Sequence, residues 1–362
     1  MGIFPAHVGE EVRVLMVGDY PPSPGGTANH LFNIAGNLKR LHDITLLVPG
    51  KGNSNENDLN IIRLRTFGSI YIWSFIFVIK AFFRMMLSLK KYDICHIHIH
   101  GFFMLFLLIP PSLFAKKSII TIHSYNGRLY RRNKILKYIS SLLIKLASRV
   151  IAVSKSDREE ISVEMNRDIK YIHNGVDTEV FTLKGETSDR SILYFGRLDK
   201  DKSVDLLIRS FSDIKDNNTT LVICGSGPED KYLKKLAGDL GLGKHILFSP
   251  HITGNELVSL INKSLFTINP SPFESMPLSI LESISCGKAV IVADIPPMKE
   301  FIEQKLVLPF QADDQKDLTS KIERLIKNKK ILKEIKQKCL LVREKYSWKD
   351  TCKTLNEVYL DL

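Results

Sequence analysis

Cysteine is scarce and scattered in the sequence. The five cysteines are Cys95, Cys224, Cys286, Cys339 and Cys352. Their number is odd and no two form a CxxC pair, which argues against a disulfide framework or a cysteine zinc site and favours a reducing compartment. The first ten residues also lack the basic start and continuous apolar run of a secretory signal, so we expect no such leader in them.

Acidic residues are absent from residues 94–156, a stretch that holds ten Lys and Arg. The chain has a formal charge of +12, and most of the excess lies in the first 180 residues, with 23 Lys and Arg against 14 Asp and Glu. The stretch is either a solvated basic helix or a surface that faces an anion, such as a membrane leaflet or a phosphorylated lipid. No aromatic-rich recognition motif accompanies the charge, so we expect no nucleic acid partner.

Apolar runs of strand length alternate with stretches of helical periodicity. The runs are residues 12–17, 44–48, 94–99, 118–122, 150–153, 192–195, 221–224, 246–248, 266–268 and 289–292, and the clearest helical stretches are residues 28–41, 134–147, 204–214 and 230–240. This alternation predicts parallel sheets covered on both faces. Because 362 residues fit two domains and a polar stretch at 174–190 resembles a linker, we predict an α/β fold with two Rossmann-like domains facing each other across a cleft.

Two segments, residues 70–91 and 102–114, are more apolar than this plan requires. In the first, a polar helical stripe and an aromatic side can be distinguished: Lys80, Arg84, Ser88 and Lys91 against Trp73, Phe75, Phe77, Phe82 and Phe83. Its charges favour an interfacial amphipathic helix over a spanning one. The alternative is that both segments are core elements, and the sequence leaves both interpretations open.

Glycines and histidines follow predicted strands in the first half. Gly25 and Gly26 precede a helix and allow close backbone approach at an anion-attracting helix N-terminus, although such a pair can also be a simple turn. His96, His98 and His100 alternate along one strand, where neighbours on a face are about 6.5–7 Å apart, too far for one zinc ion. We therefore expect no metal there. His123, at the carboxyl end of a strand, is the stronger candidate.

The second half has a cationic loop, GRLDKDK, directly after a predicted strand. Gly196 gives the backbone clearance, and Arg197 and Lys202 suit a diphosphate whose charge grows as it leaves. Standing alone, such a loop could equally carry surface charges. Asp199 and Asp201 in this loop form a DxD sequence, which is a metal-binding signature of a different transferase fold. Here the flanking cations would neutralise the diphosphate in place of a metal ion. We expect no metal and no other cofactor.

Two glutamates flank a predicted helix start in PSPFESMPLSILESISCGKAV. Pro277 suits the first helical position and Gly287 the residue past the end, although a capping box at Ser279 could start the helix later. Free backbone N–H groups around Ser275, Met276, Leu278 and Ser279 can bind phosphate. Carboxylates accept bonds from hydroxyl groups, so Glu274 and Glu282 fit the two sugars of a nucleotide sugar, on either side of its diphosphate.

Eight motifs in order resemble the retaining glycosyltransferases of the GT-B fold, in their large fourth family. They are PPSPGG, TIHSYNG, VSKSDREEI, IHNGVD, FGRLDKDKSVDLLIRSF, LVICGSGP, the Glu274-x7-Glu282 block with SCGKAVIVAD, and YSWKD. The resemblance implies that Glu274 contacts the donor sugar and Glu282 the ribose. It also implies that the diphosphate is contacted by Arg197, Lys202 and Gly26, and that His123 borders the reacting sugar. Two departures are Ser275 and Met276 in place of glycines, and Pro250 where a glycine commonly lines the base pocket.

The resemblance also implies the reaction and its partners. Residues 1–178 would bind the acceptor and residues 190–345 the nucleotide sugar, and a helix in residues 346–362 would cross back to the first domain. The expected reaction moves a sugar from a nucleotide diphosphate sugar to a hydroxyl acceptor, with retained configuration and no metal. The basic, apolar first domain favours a lipid-linked glycan acceptor in cell-surface polysaccharide synthesis, and a cytoplasmic protein bound to the inner face of the membrane. A sugar phosphorylase or a non-catalytic partner subunit of the same fold are the alternatives.

Overall fold

The computed structural model describes residues 11–23, 25–52, 54–56, 58–67, 70–99, 101–124, 133–185, 190–214 and 218–362. The chain divides into two compact units: unit 1, Met1–His173 with Trp348–Leu362, and unit 2, Asn174–Ser347. The stretch 174–190, interpreted as a linker, belongs to unit 2, where the Lys184 N–H donates to Asn262 Oδ1 at 3.0 Å. The basic residues Arg128, Arg131 and Arg132, and also His100, lie outside the described residues.

Unit 1 contains an eight-stranded sheet. Its strands are β1 Arg13–Val17, β2 Asp43–Pro49, β3 Ser54–Glu56, β4 Leu59–Leu64, β5 Ile94–Ile99, β6 Lys117–Ile122, β7 Arg149–Ala152 and β8 Lys170–Tyr171. Their order is β3-β4-β2-β1-β5-β6-β7-β8, and the pairing is parallel except between β3 and β4. The central strands are buried along nearly their whole length, as parallel strands between helical layers should be.

Helices cover this sheet. They are α1 Gly26–Leu38, α2 Ile70–Ser88, α3 Ile109–Leu113, α4 Lys134–Ile144 and α5 Lys155–Met165, with 3₁₀ turns at Leu89–Lys91 and Phe102–Leu108. A helix from late in the chain, Trp348–Leu360, also belongs to unit 1 and buries Trp348, Cys352 and Tyr359. The core of unit 1 therefore needs residues from both ends of the described chain.

Unit 2 contains a six-stranded, all-parallel sheet. Its strands are β9 Ser191–Phe195, β10 Thr220–Cys224, β11 Ile246–Ser249, β12 Phe266–Asn269, β13 Val290–Ala293 and β14 Val307–Phe310, in the order β11-β10-β9-β12-β13-β14. Its helices are α6 Val204–Ser212, α7 Asp230–Asp239, α8 Gly254–Lys263, α9 Leu278–Ser285, α10 Lys299–Glu303, α11 Gln315–Lys327 and α12 Lys329–Val342, with 3₁₀ turns at Lys200–Lys202, Pro296–Met298 and Arg343–Tyr346; the unit 1 helix Trp348–Leu360 is α13.

Each sheet has one point at which the strand order reverses. In unit 1 the chain passes from β1 outwards through β2 to β4 and then starts again on the other side with β5. In unit 2 it passes from β9 through β10 to β11 and then returns to β12 beside β9. Loops diverge at such points and leave a crevice at the carboxyl ends of the strands, where α/β proteins bind ligands. The predicted pair of Rossmann-like α/β sheets is confirmed.

Helix α2 corresponds to the first of the two unusually apolar segments. By length and composition, Ile72–Lys91 could cross a bilayer, with 33% of the stretch buried in the protein. Its inner side packs into the unit 1 core through Phe77, Ala81 and Met85. Phe77 is only 1% exposed and Ser88 is buried, so assigning them to outer faces of this helix is wrong. The outer apolar face consists of Ile72, Phe75, Ile79, Phe83 and Leu87.

Candidate functional site

The cationic loop of unit 2 lies at the carboxyl end of β9. Gly196 has φ 155°, a backbone region that disfavours other residues, and a Cβ added there would be 3.2 Å from the Tyr194 hydroxyl. That hydroxyl donates to the carbonyl of Arg197 at 2.7 Å, which fixes the turn from below. The Arg197 guanidinium forms an ion pair with Asp199 and is 58% exposed, so it can reach a ligand. One acid of the DxD sequence therefore pairs with the loop's own cation.

Two further glycines hold this loop in place. A Cβ on Gly225 would lie 1.9 Å from the Gly196 carbonyl oxygen, and one on Gly227 would lie 2.3 Å from the Leu198 carbonyl oxygen. No side chain fits at either position. The loop after β10 therefore packs directly against the backbone of the cationic loop, a contact that the motif LVICGSGP alone does not reveal.

The loop after β12 approaches the cationic loop from the neighbouring strand. Ser271 Oγ lies 3.1 Å from the Asp201 carbonyl oxygen, which ties the two loops together. Asn174 Nδ2 donates to the Met276 carbonyl at 2.7 Å. Ser275 and Met276 are both buried, and the contact of their backbone N–H groups with phosphate stays a prediction.

Helix α9 begins one residue after Pro277, the residue predicted to be its first, and before the later start that a capping box at Ser279 would give. Pro277 is the N-cap with extended backbone angles, and Leu278 is the first helical residue. The capping box is wrong: Ser279 is inside the helix, and its Oγ accepts from Asn269 Nδ2 at 3.3 Å. Gly287 has φ 69° just past the helix end, as predicted.

Lys202 and Glu274 are in direct contact. Lys202 Nζ lies 2.5 Å from Glu274 Oε1, and the two side chains are 25% and 11% exposed. They meet because β9 and β12 are adjacent parallel strands, so their following loops lie at one edge of the sheet. The structure thus places the predicted diphosphate cation beside the predicted sugar carboxylate, at the strand-order reversal of unit 2.

Glu282 lies in the second turn of α9 and is only partly exposed. Among the described residues, its carboxylate has no hydrogen bond or ion pair. Burial raises the pKa of Glu282 to about 7, because a low-dielectric surrounding disfavours the charged form. A hydroxyl donor would relieve that cost, which suits the predicted contact with ribose.

The glycine pair of unit 1 lies where α1 begins. Gly25 is the N-cap, with φ 119°, and Gly26 is the first helical residue. A Cβ at either position would have no atom within 4 Å, so the space beside this helix start is open. The free N–H groups of the first turn are therefore accessible to an anion.

His123 follows β6 and joins a histidine cluster at the strand-order reversal of unit 1. Its Nε2 lies 3.3 Å from His98 Nδ1, and its ring centroid is 4.6 Å from that of His30. His98 is fully buried, and burial depresses its pKa far below the ordinary value. His96 is engaged elsewhere, with Tyr359 and Thr121 at 2.7 and 2.8 Å. His30, on α1, had not been identified as a site residue.

Comparisons with known proteins divide the chain in the same way. Residues 177–339 match the family Glycosyl transferases group 1, and residues 24–180 match Glycosyltransferase Family 4. An uncharacterized glycosyltransferase of Methanocaldococcus jannaschii is 26% identical, over 94% of this chain and 96% of the relative. A GDP-mannose:cellobiosyl-diphosphopolyprenol alpha-mannosyltransferase of Xanthomonas campestris is 26% identical, over 58% of each chain.

The fold is shared with solved structures. Anabaena HepE, crystallised in complex with UDP-glucose, superimposes with a TM-score of 0.82 at 17% identity, covering 97% of this chain and all of that one. Sucrose-phosphate synthase from Thermosynechococcus elongatus gives a TM-score of 0.84 at 15% identity, covering 96% of this chain and 98% of that one. The predicted GT-B fold class is confirmed by these likenesses.

Proposed function

The chain belongs to the group 1 glycosyltransferases of the GT-B fold, and on that premise we propose that it transfers one sugar from a nucleoside diphosphate sugar to a hydroxyl acceptor. The configuration at the transferred sugar is retained, and no metal ion takes part at the diphosphate. HepE binds UDP-glucose, which supports a donor of this class for the present chain.

The observation that carries the proposal is the contact between Lys202 and Glu274. An isolated ion pair on a protein surface contributes little to stability. The ion pair between Lys202 and Glu274 instead joins two loops at the strand-order reversal. A donor offers a better partner to each member: phosphate oxygens for Lys202 and sugar hydroxyls for Glu274. The ion pair then holds both side chains in place before the donor arrives, and binding exchanges one set of contacts for another.

The chemistry asks for orientation and charge stabilisation rather than a protein nucleophile. As the leaving diphosphate gains charge, Lys202, Arg197 and the backbone N–H groups at the start of α9 stabilise it, a type of contribution that grows towards the transition state. The acceptor hydroxyl attacks from the face that the leaving group departs, and a donor phosphate oxygen takes its proton. His123 remains the predicted neighbour of the reacting sugar.

A donor screen tests this function. Each nucleotide sugar is added to the protein and the melting temperature is recorded, since a ligand at 100 times its Kd stabilises by about 2.7 kcal/mol. The donor that stabilises is then incubated with acceptors, with and without a strong chelator, and the product anomer is determined by NMR. We expect transfer with retention in both samples. Activity lost to the chelator and restored by magnesium would contradict the metal-free assignment; phosphate-dependent cleavage or no turnover would favour the phosphorylase or the partner subunit.

Donor binding should depend on the ionisation of Glu282. Ribose hydroxyls donate to the carboxylate, so binding lowers the pKa of Glu282 below its value of about 7 in the free protein and releases a proton. Affinity for the donor should therefore rise with pH through about 7 and then level off, by about tenfold for each unit by which binding lowers the pKa. Titration calorimetry at several pH values measures this.

Glu282→Gln is the matched control, because glutamine keeps the shape and cannot ionise. Its donor affinity should be nearly flat over the same pH range. The raised pKa also means that the folded state loses stability as pH rises from the carboxyl's ordinary value through 7, so this variant should melt higher than wild type above pH 7 and not at acid pH. Identical pH profiles for both proteins would remove Glu282 from the ribose site.

We also propose that unit 1 binds the cytoplasmic face of a membrane, where a lipid-linked acceptor resides. The outer face of α2 and the neighbouring 3₁₀ turn surround an apolar hollow of about 290 Å³, lined by Phe75, Val78, Ile79, Phe82, Phe83, Phe103 and Phe106. Helix α4 packs on the same turn and exposes Ile135, Tyr138 and Leu142, and Leu146 is exposed just after its end. The Xanthomonas relative acts on a polyprenol-linked acceptor, as its name states, which supports an acceptor of this kind.

Basic side chains accompany these apolar faces. The exposed ones include Lys80 and Arg84 on α2, and Lys134 and Lys145 at the ends of α4. Lys137 is already paired with Glu164 at 3.0 Å, so not every base in the acid-free stretch is available to a lipid. Each basic side chain that can reach the lipid contributes about 1 kcal/mol to binding near an anionic leaflet. The burial of apolar area contributes further binding free energy.

Vesicle sedimentation tests this surface. The protein should sediment with anionic vesicles at low salt, bind neutral vesicles poorly and be released as ionic strength rises. Phe75→Ser with Phe83→Ser should weaken vesicle binding and leave donor affinity unchanged. Val163→Ser, which alters an exposed apolar residue on α5, is the matched control. Wild-type protein that stays in the supernatant at low salt would show that this surface does not bind lipid.

A further inference from the structure

Three histidines of unit 1 converge from three different elements. His30 lies in the second turn of α1, His98 on β5 and His123 directly after β6. One ring nitrogen from each lies within 4.8 Å of the other two. They converge because β1 and β5 meet at the strand-order reversal, with β6 beside β5 and α1 packed over the sheet. The spacing along one strand, which argued against a metal, does not describe this cluster.

The donor set has the chemistry of a transition-metal site. His98 is fully buried and faces His123 with its Nδ1, so Nδ1 is the nitrogen that would ligate an ion, while its Nε2 has no hydrogen-bond partner among the described residues. Two nitrogens on one tetrahedral zinc ion lie about 3.3 Å apart, given Zn–N distances of about 2.0–2.1 Å. His98 Nδ1 and His123 Nε2 are 3.3 Å apart already. His123 is partly exposed, which gives an ion a route in.

We propose that His30, His98 and His123 form a three-imidazole site for a divalent transition-metal ion of the zinc class. Imidazole ligands select zinc, copper, nickel or cobalt over magnesium and calcium. Three protein ligands leave the fourth position open to water, as in zinc sites that are not purely structural. The ion is assigned no part in the transfer reaction, so the proposal does not conflict with metal-free transfer. If His123 borders the reacting sugar, as the proposed function has it, an ion bound to its imidazole prevents His123 from contacting the sugar and inhibits the enzyme.

Binding is measured without activity. Zn²⁺ is titrated into the full-length protein by calorimetry, and Co²⁺ is added to record the visible ligand-field bands of a tetrahedral ion. The chain has two tryptophans, and Trp348 is centred 5.4 Å from the His30 ring. In a Trp73→Phe background, Co²⁺ or Cu²⁺ should therefore quench the remaining fluorescence. Mg²⁺ should give no signal in either measurement.

His98→Gln and His123→Ala should each weaken Zn²⁺ binding by at least about tenfold, since even outer contacts of a metal site cost 10–100-fold when removed. His251→Ala, an exposed histidine of unit 2, should leave binding unchanged. If His98→Gln does not fold, the partly exposed His123 carries the test. Binding that survives both cluster variants, or no tetrahedral Co²⁺ spectrum, would overturn the site.

Inhibition separates this inference from the proposed function. Micromolar Zn²⁺ should inhibit transfer, and a chelator should restore it to the metal-free rate. Zn²⁺ that binds at the cluster without inhibiting would keep the site and remove His123 from the reaction. Inhibition that persists in His98→Gln would place the inhibitory ion elsewhere and overturn the assignment.

Discussion

Glu274→Ala should abolish sugar transfer while leaving nucleoside diphosphate binding nearly unchanged. The carboxylate is expected to hold the hydroxyls of the donor sugar, and a nucleoside diphosphate has no such sugar. The structure adds a second reason: Glu274 neutralises Lys202 at 2.5 Å, so its removal frees that lysine for phosphate. Transfer is measured with the donor found by the screen, and nucleoside diphosphate binding by calorimetry.

The control for this variant is Glu256→Ala, which removes a carboxylate from the exposed first turn of α8. It should leave both measurements unchanged. Glu274→Gln keeps a hydroxyl acceptor but no charge, and we expect it to retain part of the activity. An equal loss of transfer and of nucleoside diphosphate binding in Glu274→Ala would show that the residue holds the loops rather than the sugar.

Lys202→Ala should lower turnover by about 10²–10³-fold, the range observed when one preorganised donor to a developing charge is removed. The side chain is 25% exposed and aligned by Glu274, so little rearrangement is needed before it meets the diphosphate. Because the charge on the leaving group grows in the transition state, kcat should fall more than donor affinity. Steady-state kinetics and direct binding measurements distinguish the two effects.

Lys200→Ala is the matched control, from the same 3₁₀ turn and with an exposed side chain. It should be nearly as active as wild type. The double variant of Lys202 and Glu274 should be less impaired in nucleoside diphosphate binding than Lys202→Ala, which leaves Glu274 unpaired beside the phosphates. Near-normal turnover in Lys202→Ala would remove it from the chemistry.

The main strands were predictable because burial on both faces makes them continuous apolar runs. The strands that were not predicted are short or interrupted: β3 is Ser-Asn-Glu, β8 has two residues and β14 contains Pro309. β4 alternates less clearly, as LNIIRL. β3, β8 and β14 are edge strands, and strands of this kind gain their order from a neighbour, which a local pattern cannot show.

The site residues whose positions depend on the local sequence alone could be predicted. Arg197, Lys202 and Glu274 follow strands and Glu282 lies in the second turn of a helix, positions that the local sequence pattern indicates. The contact between Lys202 and Glu274 depends on which strands are neighbours in the sheet. The need for glycine at position 225 depends on the backbone of Gly196, which is 29 residues away in sequence. His30 sits on the buried side of α1, where it looks like an ordinary core residue until β5 and β6 are placed beside it.

The division of the chain has a consequence for its synthesis. Unit 2 is continuous, and its ends are joined by a bridge between Val176 and Ser347, so it can fold as soon as residue 347 leaves the ribosome. Unit 1 is started first but lacks the helix Trp348–Leu360, whose Tyr359 hydroxyl bonds to the buried His96. Domains usually fold in the order of their synthesis. Here the core of unit 1 can be completed only after all of unit 2 has been synthesised, because the helix Trp348–Leu360 follows unit 2 in the sequence.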